Sequence, residues 1–237
     1  MIMKSIRSIS AILAVILAFA AQLARATDEH VYARGEYAII RGGLAPDRRL
    51  ALASHGECNG GCDQFHVWLM TEPAHRKLTA LDEIGDANNL DTAPMAYHAM
   101  WSDNSRRVAV KFRSNRRVVQ LNLYAIENRR ARLIAGPNLF RQATGRDVVV
   151  EQDDLRSSFP EIAWTGPDRF RLTEYRGFVT SDPEFARLLG QYGKVEKLDD
   201  GRLFVEFAAE ADCVVMPGHR YRVVDLRVGK FVDPDTW

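Results

Sequence analysis

The sequence predicts an all-β protein of antiparallel strands with one short helix near residues 182–190. Strands with alternating apolar and polar residues recur along the chain. Short turns rich in Asp, Asn, Ser, Gly or Pro separate them. The combination of turn and strand appears three times, at intervals of 57 and 63 residues. With 237 residues, 46% of them apolar, the chain can bury a sizeable core.

The first 26 residues are typical of a secretory signal peptide. Lys4 and Arg7 precede an apolar run over 9–23, and Ala24-Arg25-Ala26 follows it. A charged start, a short apolar centre and a small-x-small end indicate a cleaved export signal. The run is short for a membrane span of about 20 residues. An uncleaved N-terminal anchor is the alternative.

Cleavage after Ala26 would leave a mature chain of residues 27–237. We expect this chain to be exported, either periplasmic or secreted, and to fold as a single soluble β-rich domain. It has no second long apolar run, so we expect no transmembrane segment. Removing residues 1–26 leaves 29 basic and 31 acidic residues, a net charge of −2. Because this balance gives no general attraction to polyanions, we expect no nucleic-acid partner.

Three repeated units are predicted, at about 36–85, 97–137 and 160–235. Their first segments read LAPDRRLAL at 44–52, WSDNSRRVAV at 101–110 and WTGPDRFRL at 164–172. Each runs from an apolar anchor through a polar turn into an alternating strand. A second pattern of strand, polar turn and strand indicates a further hairpin in each unit, at 65–78, 121–134 and 221–231.

The strand that follows Trp101 predicts which side chains face the core. Its apolar residues alternate with basic ones, Val108, Val110 and Phe112 against Arg107, Lys111 and Arg113. Successive side chains of a strand point to opposite faces. We therefore expect the apolar set to face the core and the basic set to face outward.

These segments resemble the blade repeat of TolB-like and WD40-like β-propellers, in which an aromatic-Ser-Pro-Asp-Gly turn precedes a strand of the form Arg-Arg-apolar-Ala-apolar. The fullest match is WSDNSRRVAV at 101–110, and fragments cover about 130 residues. The resemblance implies antiparallel blade-like meanders. Closed propellers have about four to eight blades, so three units imply an incomplete or irregular propeller. An unrelated antiparallel β fold is the alternative.

The third unit contains the predicted helix. Asp182 supplies an N-cap, Pro183 suits the first helical position and Glu184 places an acid in the first turn. Further on, Asp199-Asp200-Gly201 fits a hairpin turn.

Two cysteines and two histidines lie close together, namely His55, Cys58, Cys62 and His66. In an exported protein thiols oxidise, so a Cys58–Cys62 disulfide at a hairpin tip is the favoured interpretation. The same four residues could instead hold zinc or copper, and a reactive redox pair is a third possibility. The disulfide interpretation needs no cofactor.

Cys213 lies in an apolar strand and is predicted to be a buried free thiol, with pairing to another chain as the alternative.

Basic residues are concentrated between Arg106 and Arg132, where nine accompany one acid, Glu127. The candidate anion-binding residues are Arg106, Arg107, Arg113, Arg116, Arg117, Arg129 and Arg130. Their ligand would be an anionic polymer of the envelope. The alternatives are basic residues that protect edge strands from aggregation and ion pairs with acids elsewhere in the chain.

No catalytic pattern such as GxSxG, HExxH, a P-loop or GxGxxG occurs. The sequence therefore predicts a non-catalytic protein that binds a protein or polymer in the cell envelope, with no catalytic residue assigned. The alternative is an envelope hydrolase or metal-dependent enzyme with its site near His55 and His66.

Overall fold

The computed structural model describes residues 27–58, 62–85, 87–148 and 154–229. The predicted signal peptide, 1–26, lies outside these residues. Within the described ranges, no helix has the length and apolar character needed to cross a membrane.

Eight strands form the first sheet and confirm the predicted antiparallel β architecture. They are β1 (Ala38–Leu44), β2 (Leu50–Cys58), β3 (Cys62–Thr71), β4 (Arg76–Gly85), β5 (His98–Trp101), β6 (Arg107–Arg113), β7 (Val119–Glu127) and β8 (Arg130–Leu133). A single 3-10 turn, Pro94–Ala96, precedes β5 in this part of the chain.

The first sheet consists of two four-stranded antiparallel meanders joined edge to edge. Its strand order is β4-β3-β2-β1-β5-β6-β7-β8. The joining pair, β1 and β5, is parallel and places Arg41 opposite His98. The outer strands β4 and β8 contact each other, so the sheet is barrel-like and nearly closed. Closure protects strand edges that would otherwise be open to pairing with another chain.

The second sheet contains β9 (Leu155–Gly166), β10 (Arg169–Thr180), β11 (Val195–Lys197), β12 (Leu203–Met216) and β13 (Arg220–Val228). Its order is β11-β12-β10-β9, and β13 also pairs with β12. The hairpin predicted over 221–231 is wrong, because residues 220–228 form one continuous strand along β12. The turn lies earlier, at Pro217-Gly218-His219.

The second sheet packs against the outer face of the first. Trp164 of β9 donates its indole N–H to the carbonyl of Met100 at the end of β5, at 2.9 Å. Two cores result. One fills the barrel and contains Val108, Val110 and Phe112, which confirms the predicted inward face of β6. The other lies between the sheets and contains Ala109, from the opposite face of β6.

Two short helices pack onto the second sheet, α1 (Leu139–Thr144) and α2 (Pro183–Leu189). The carboxylate of Asp182 accepts the Glu184 N–H at 2.8 Å and confirms the predicted start of α2. Helix α1 was not predicted. It begins after Asn138, whose side chain accepts the Arg141 N–H at 3.1 Å.

Candidate functional site

Four hairpin turns of the first sheet lie at one end of the barrel, which we call the turn end. They connect β1 to β2, β3 to β4, β5 to β6 and β7 to β8. They share this end because β1 and β5 run parallel and every other neighbouring pair of strands runs antiparallel. Each turn contributes one or two exposed arginines. We call these six residues the arginine rim: Arg48, Arg49, Arg76, Arg106, Arg129 and Arg130.

The β1–β2 turn and the β5–β6 turn have the same backbone geometry. In the first, the Arg48 N–H donates to the Ala45 carbonyl at 2.9 Å. In the second, the Ser105 N–H donates to the Ser102 carbonyl at 2.9 Å. Arg48 and Ser105 also share an unusual left-handed conformation, with φ of 56° and 58°. The two turns are therefore equivalent, with an offset of 57 residues.

Side-chain capping extends this equivalence to two arginines of the rim. Asp47 Oδ1 accepts the Arg49 N–H at 3.0 Å. Asn104 Oδ1 accepts the Arg106 N–H at 3.0 Å. Arg49 and Arg106 consequently occupy matching positions in successive meanders.

Hydrogen bonds also connect one turn to another. The Asp47 N–H donates to Ser105 Oγ at 3.1 Å, which joins the β1–β2 and β5–β6 turns. The Glu72 N–H donates to the Arg49 carbonyl at 2.8 Å, which adds the β3–β4 turn. These bonds hold three of the four turns in a fixed arrangement.

Four acids, Asp47, Glu72, Asp103 and Glu127, lie in or beside the same turns as the arginine rim. Glu72 lies beside His75 at 3.2 Å, and Glu127 lies nearest His219 at 3.8 Å. Among the described residues, none of the six rim arginines forms an ion pair with a carboxylate. Their guanidinium groups keep donors that can bind carboxylate or phosphate oxygens in a bidentate manner.

Six of the seven predicted anion-binding residues separate into two groups. Arg106, Arg129 and Arg130 belong to the arginine rim, as described above. Near the other end of β6 and in the β6–β7 turn lie Arg113, Arg116 and Arg117. The length of β6 puts the two groups about 20 Å apart.

Three of these residues, together with Lys111, form ion pairs inside the chain. Arg107 pairs with Asp168 at 2.9 Å, Arg113 with Asp91 at 2.6 Å, Arg117 with Asp154 at 3.4 Å, and Lys111 pairs with Glu161. For these residues the structure agrees with the ion-pair alternative. Arg48, Arg49 and Arg76 of the arginine rim were not among the predicted anion-binding residues. The repeated turn could have indicated Arg49, because it aligns with Arg106.

The predicted cysteine and histidine site lies in the β2–β3 hairpin, and the backbone places its residues in pairs. His55 is directly opposite His66, and Cys58 is directly opposite Cys62. Residues opposed in this way have Cα atoms about 4.5–5.5 Å apart, within the range of disulfides. The side chains of Cys58 and Cys62 lie outside the described residues, so disulfide and metal binding both stay predictions.

The two histidines have neighbours of their own. His55 donates from Nδ1 to the Glu36 carbonyl, and its ring stacks on Tyr37 with centroids 4.5 Å apart. His66 packs edge-on against Trp68 at 5.7 Å. Among the side chains that the structure describes, no three His, Cys, Asp or Glu residues are grouped to hold a metal ion.

Two further titratable groups are held uncharged by their surroundings. Cys213 is 2% exposed, which confirms the predicted buried thiol. Burial, with a contribution from Asp212, raises its pKa to about 12. His98 lies in β5, where burial and the charges of Arg41 and Lys111 lower its pKa, while Glu161 opposes them. Both groups are poor candidates for chemistry that needs a thiolate or an imidazolium.

Comparison with protein families, curated proteins and solved structures finds no match for this chain.

Proposed function

We propose that this protein is an exported, non-catalytic binding module whose arginine rim binds an acidic protein or an anionic polymer of the cell envelope. The observation that carries this proposal is the convergence, on four adjoining turns, of six exposed arginines that form no ion pair with any described carboxylate. Residues 1–26 support export, because their pattern is that of a signal peptide.

The spacing of the arginine rim favours a polymer or a protein surface over a single small anion. Neighbouring strands lie about 4.8 Å apart, so four successive turns extend over roughly 30 Å of the curved sheet. A ligand with repeated negative charges can contact several turns at once. Each exposed contact contributes little alone, but simultaneous contacts combine into useful affinity.

We also propose that the two meanders of the first sheet are divergent blade repeats of the TolB-like or WD40-like kind. Each has four antiparallel strands, as propeller blades have, and their first turns are equivalent. They differ from propeller blades because they join edge to edge through β1 and β5. This origin favours a binding role, although fold alone does not determine function.

Binding of residues 27–237 to inorganic polyphosphate and to poly-L-glutamate tests the proposed function. The double variant Arg49→Ala/Arg106→Ala should bind at least about tenfold more weakly, because two charged hydrogen-bonding groups are lost. The matched control is Arg34→Ala/Arg187→Ala, which removes the same charge from exposed positions away from the turn end. It should change the affinity by less than about twofold.

Salt dependence supplies a second readout. Binding through several arginines should weaken steeply between about 50 and 200 mM salt, because condensed counterions are released. Binding that is insensitive to salt, or that the rim variant leaves unchanged, would remove this proposal.

The alternative function is an envelope hydrolase or metal-dependent enzyme, and the direct opposition of His55 and His66 favours it. Elemental analysis of the purified chain distinguishes it from the binding module. Stoichiometric zinc or copper that is lost in a His55→Ala/His66→Ala variant would support the enzyme.

A further inference from the structure

A cleft of about 380 Å³ opens between the two sheets, away from the cysteine and histidine hairpin. Its walls come from β7, from the segment that precedes α1, and from β9. Three residues of β10, Leu172, Glu174 and Arg176, line it together with Tyr221 of β13. The volume lies near the lower end of the range for ligand sites, about 300–1,000 Å³, and suits a small molecule.

The cleft reaches the one place where the inner face of β10 carries charge. Along that face Phe170, Leu172 and Phe178 belong to the core between the sheets. Glu174 and Arg176 occupy the two positions between Leu172 and Phe178, and their side chains are 11% and 15% exposed. An apolar pair of similar size would commonly be as stable or more stable at such a position. Stability alone therefore does not explain the charged pair.

Only part of this ion pair is used internally. Arg176 donates from Nε to Glu174 Oε1, and its Nη2 approaches the same oxygen. Among the described residues, Glu174 Oε2 and Arg176 Nη1 make no hydrogen bond. Neither atom is among the buried polar atoms without a partner, and both residues line the cleft. The Phe140 ring, 5.1 Å from the guanidinium, helps to fix its position.

We propose that this cleft binds a small zwitterion of the amino-acid class. The ammonium group of the ligand donates to Glu174 Oε2, and its carboxylate accepts from Arg176 Nη1. A simple anion would meet the carboxylate of Glu174, and a simple cation would meet the guanidinium of Arg176. A ligand that carries an ammonium and a carboxylate on the same carbon satisfies both groups. Leu121, Leu172 and Tyr221 provide apolar surface for its side chain.

Titration of residues 27–237 with L-leucine tests this proposal, with glycine and L-phenylalanine as probes of side-chain size. Isocaproate, which is leucine without its amino group, and isoamylamine, which is leucine without its carboxylate, are the matched ligands. We expect saturable binding of at least one amino acid with a Kd of about 1 mM or below. For leucine, either lost group should weaken binding at least about tenfold.

Substitutions in the cleft test whether the amino acid binds at Glu174 and Arg176. Glu174→Leu/Arg176→Met replaces the ion pair by apolar side chains and should still fold, but should lose at least tenfold in affinity. Glu174→Gln should reduce the preference for leucine over isocaproate. The control Arg171→Ala/Asp212→Ala removes an ion pair from the opposite face of β10 and should leave binding unchanged.

Two results would overturn the zwitterion site. One is the absence of binding by all three amino acids at about 10 mM, well above the expected Kd. The other is unchanged binding by the Glu174→Leu/Arg176→Met variant, provided that its circular dichroism spectrum matches that of the parent. Neither result bears on the arginine rim, because polyphosphate binding is measured separately.

Discussion

The backbone N–H of Asp47 donates a hydrogen bond to Ser105 Oγ at 3.1 Å, across 58 residues of sequence. It connects the first turn of one meander to the equivalent turn of the next. Because Arg49 and Arg106 follow these turns at matching positions, the bond fixes one arginine of the rim relative to the other. If the arginine rim binds anions as we propose, that binding depends on a contact that carries no charge itself.

Replacing Ser105 by alanine should lower the free energy of unfolding by about 1 kcal/mol, because the Asp47 N–H loses its acceptor. It should also weaken polyphosphate binding, since the two turns are no longer held together. Urea denaturation and the binding titration measure these effects. Ser181→Ala, at an exposed position, is the control, and an equal loss in both variants would contradict the role given to Ser105.

The sequence was sufficient where the signal is local. Alternation predicted the apolar face of β6 correctly, but the opposite face packs against the second sheet instead of facing solvent. The turn-forming Asp199-Asp200-Gly201 predicted the β11–β12 hairpin, in which the Leu198 N–H donates to the Arg202 carbonyl. Asp182 and Pro183 predicted the start of α2. Each of these signals depends on interactions within a few residues, where backbone preferences dominate.

Long-range pairing could not be predicted in the same way. The parallel contact of Arg41 with His98 joins the meanders, but nothing near either residue specifies the other. The charged pair on β10 did leave a signal, since Glu174 and Arg176 interrupt an apolar face that alternates from Phe170 to Phe178. This signal is easily overlooked, because charge in an alternating strand is ordinarily assigned to the solvent face.

The ion pair of Asp91 with Arg113 is expected to contribute strongly to stability. Asp91 is 2% exposed, accepts two hydrogen bonds from Arg113 at 2.8 and 2.6 Å, and accepts the Asp28 N–H at 2.7 Å. Arg113→Ala leaves this carboxylate buried without its cation and should cost about 3–5 kcal/mol. Arg116→Ala, at an exposed neighbour, should stay within about 0.5 kcal/mol of the parent. Similar losses in the two variants on urea denaturation would contradict this account.

The number of free thiols per chain shows whether Cys58 and Cys62 form a disulfide. If Cys58 and Cys62 form a disulfide, alkylation of the protein in denaturant without reductant should modify one thiol per chain, Cys213. With reductant, all three cysteines should react. In the native protein Cys213 should react slowly in either case, because its burial and its pKa of about 12 keep the thiolate scarce. Three adducts without reductant, measured by mass spectrometry, would exclude the disulfide.

His98 should make the protein less stable in mild acid. Its pKa in the folded protein is lowered from 6.5, first by burial and then by Arg41 and Lys111, with Glu161 opposing. The unfolded chain therefore takes up a proton as the pH falls below about 6.5, before the folded protein does, and this favours unfolding. The contribution of His98 to the free energy of unfolding is fully present above about pH 6.5 and is lost as the pH falls through the lower pKa of the folded protein.

Urea denaturation at about pH 7.5 and about pH 5 measures this dependence on either side of the unfolded pKa. His98→Asn should flatten the change in stability between the two conditions. Arg41→Met should reduce the change only in part, because burial still disfavours the protonated imidazole. An unaltered dependence in His98→Asn would show that other groups cause the acid sensitivity.

Gly136 is expected to tolerate no side chain, because it lies against a tyrosine that packs in the core between the sheets. A Cβ atom there would lie 1.7 Å from Cε1 of Tyr221. The Tyr221 ring meets Phe170 edge-on at 5.2 Å, and its hydroxyl donates to the Pro137 carbonyl at 3.2 Å. Gly136→Ala must displace this ring, and we expect a loss of about 1–3 kcal/mol.

The matched control is Gly166→Ala, whose Cβ would have its nearest neighbour at 3.7 Å. In a Tyr221→Leu background the Gly136 substitution should cost less, because the smaller side chain can move aside, and the difference measures the coupling between the two residues. Equal costs in both backgrounds would mean that the backbone at Gly136, rather than the Tyr221 ring, excludes the methyl group.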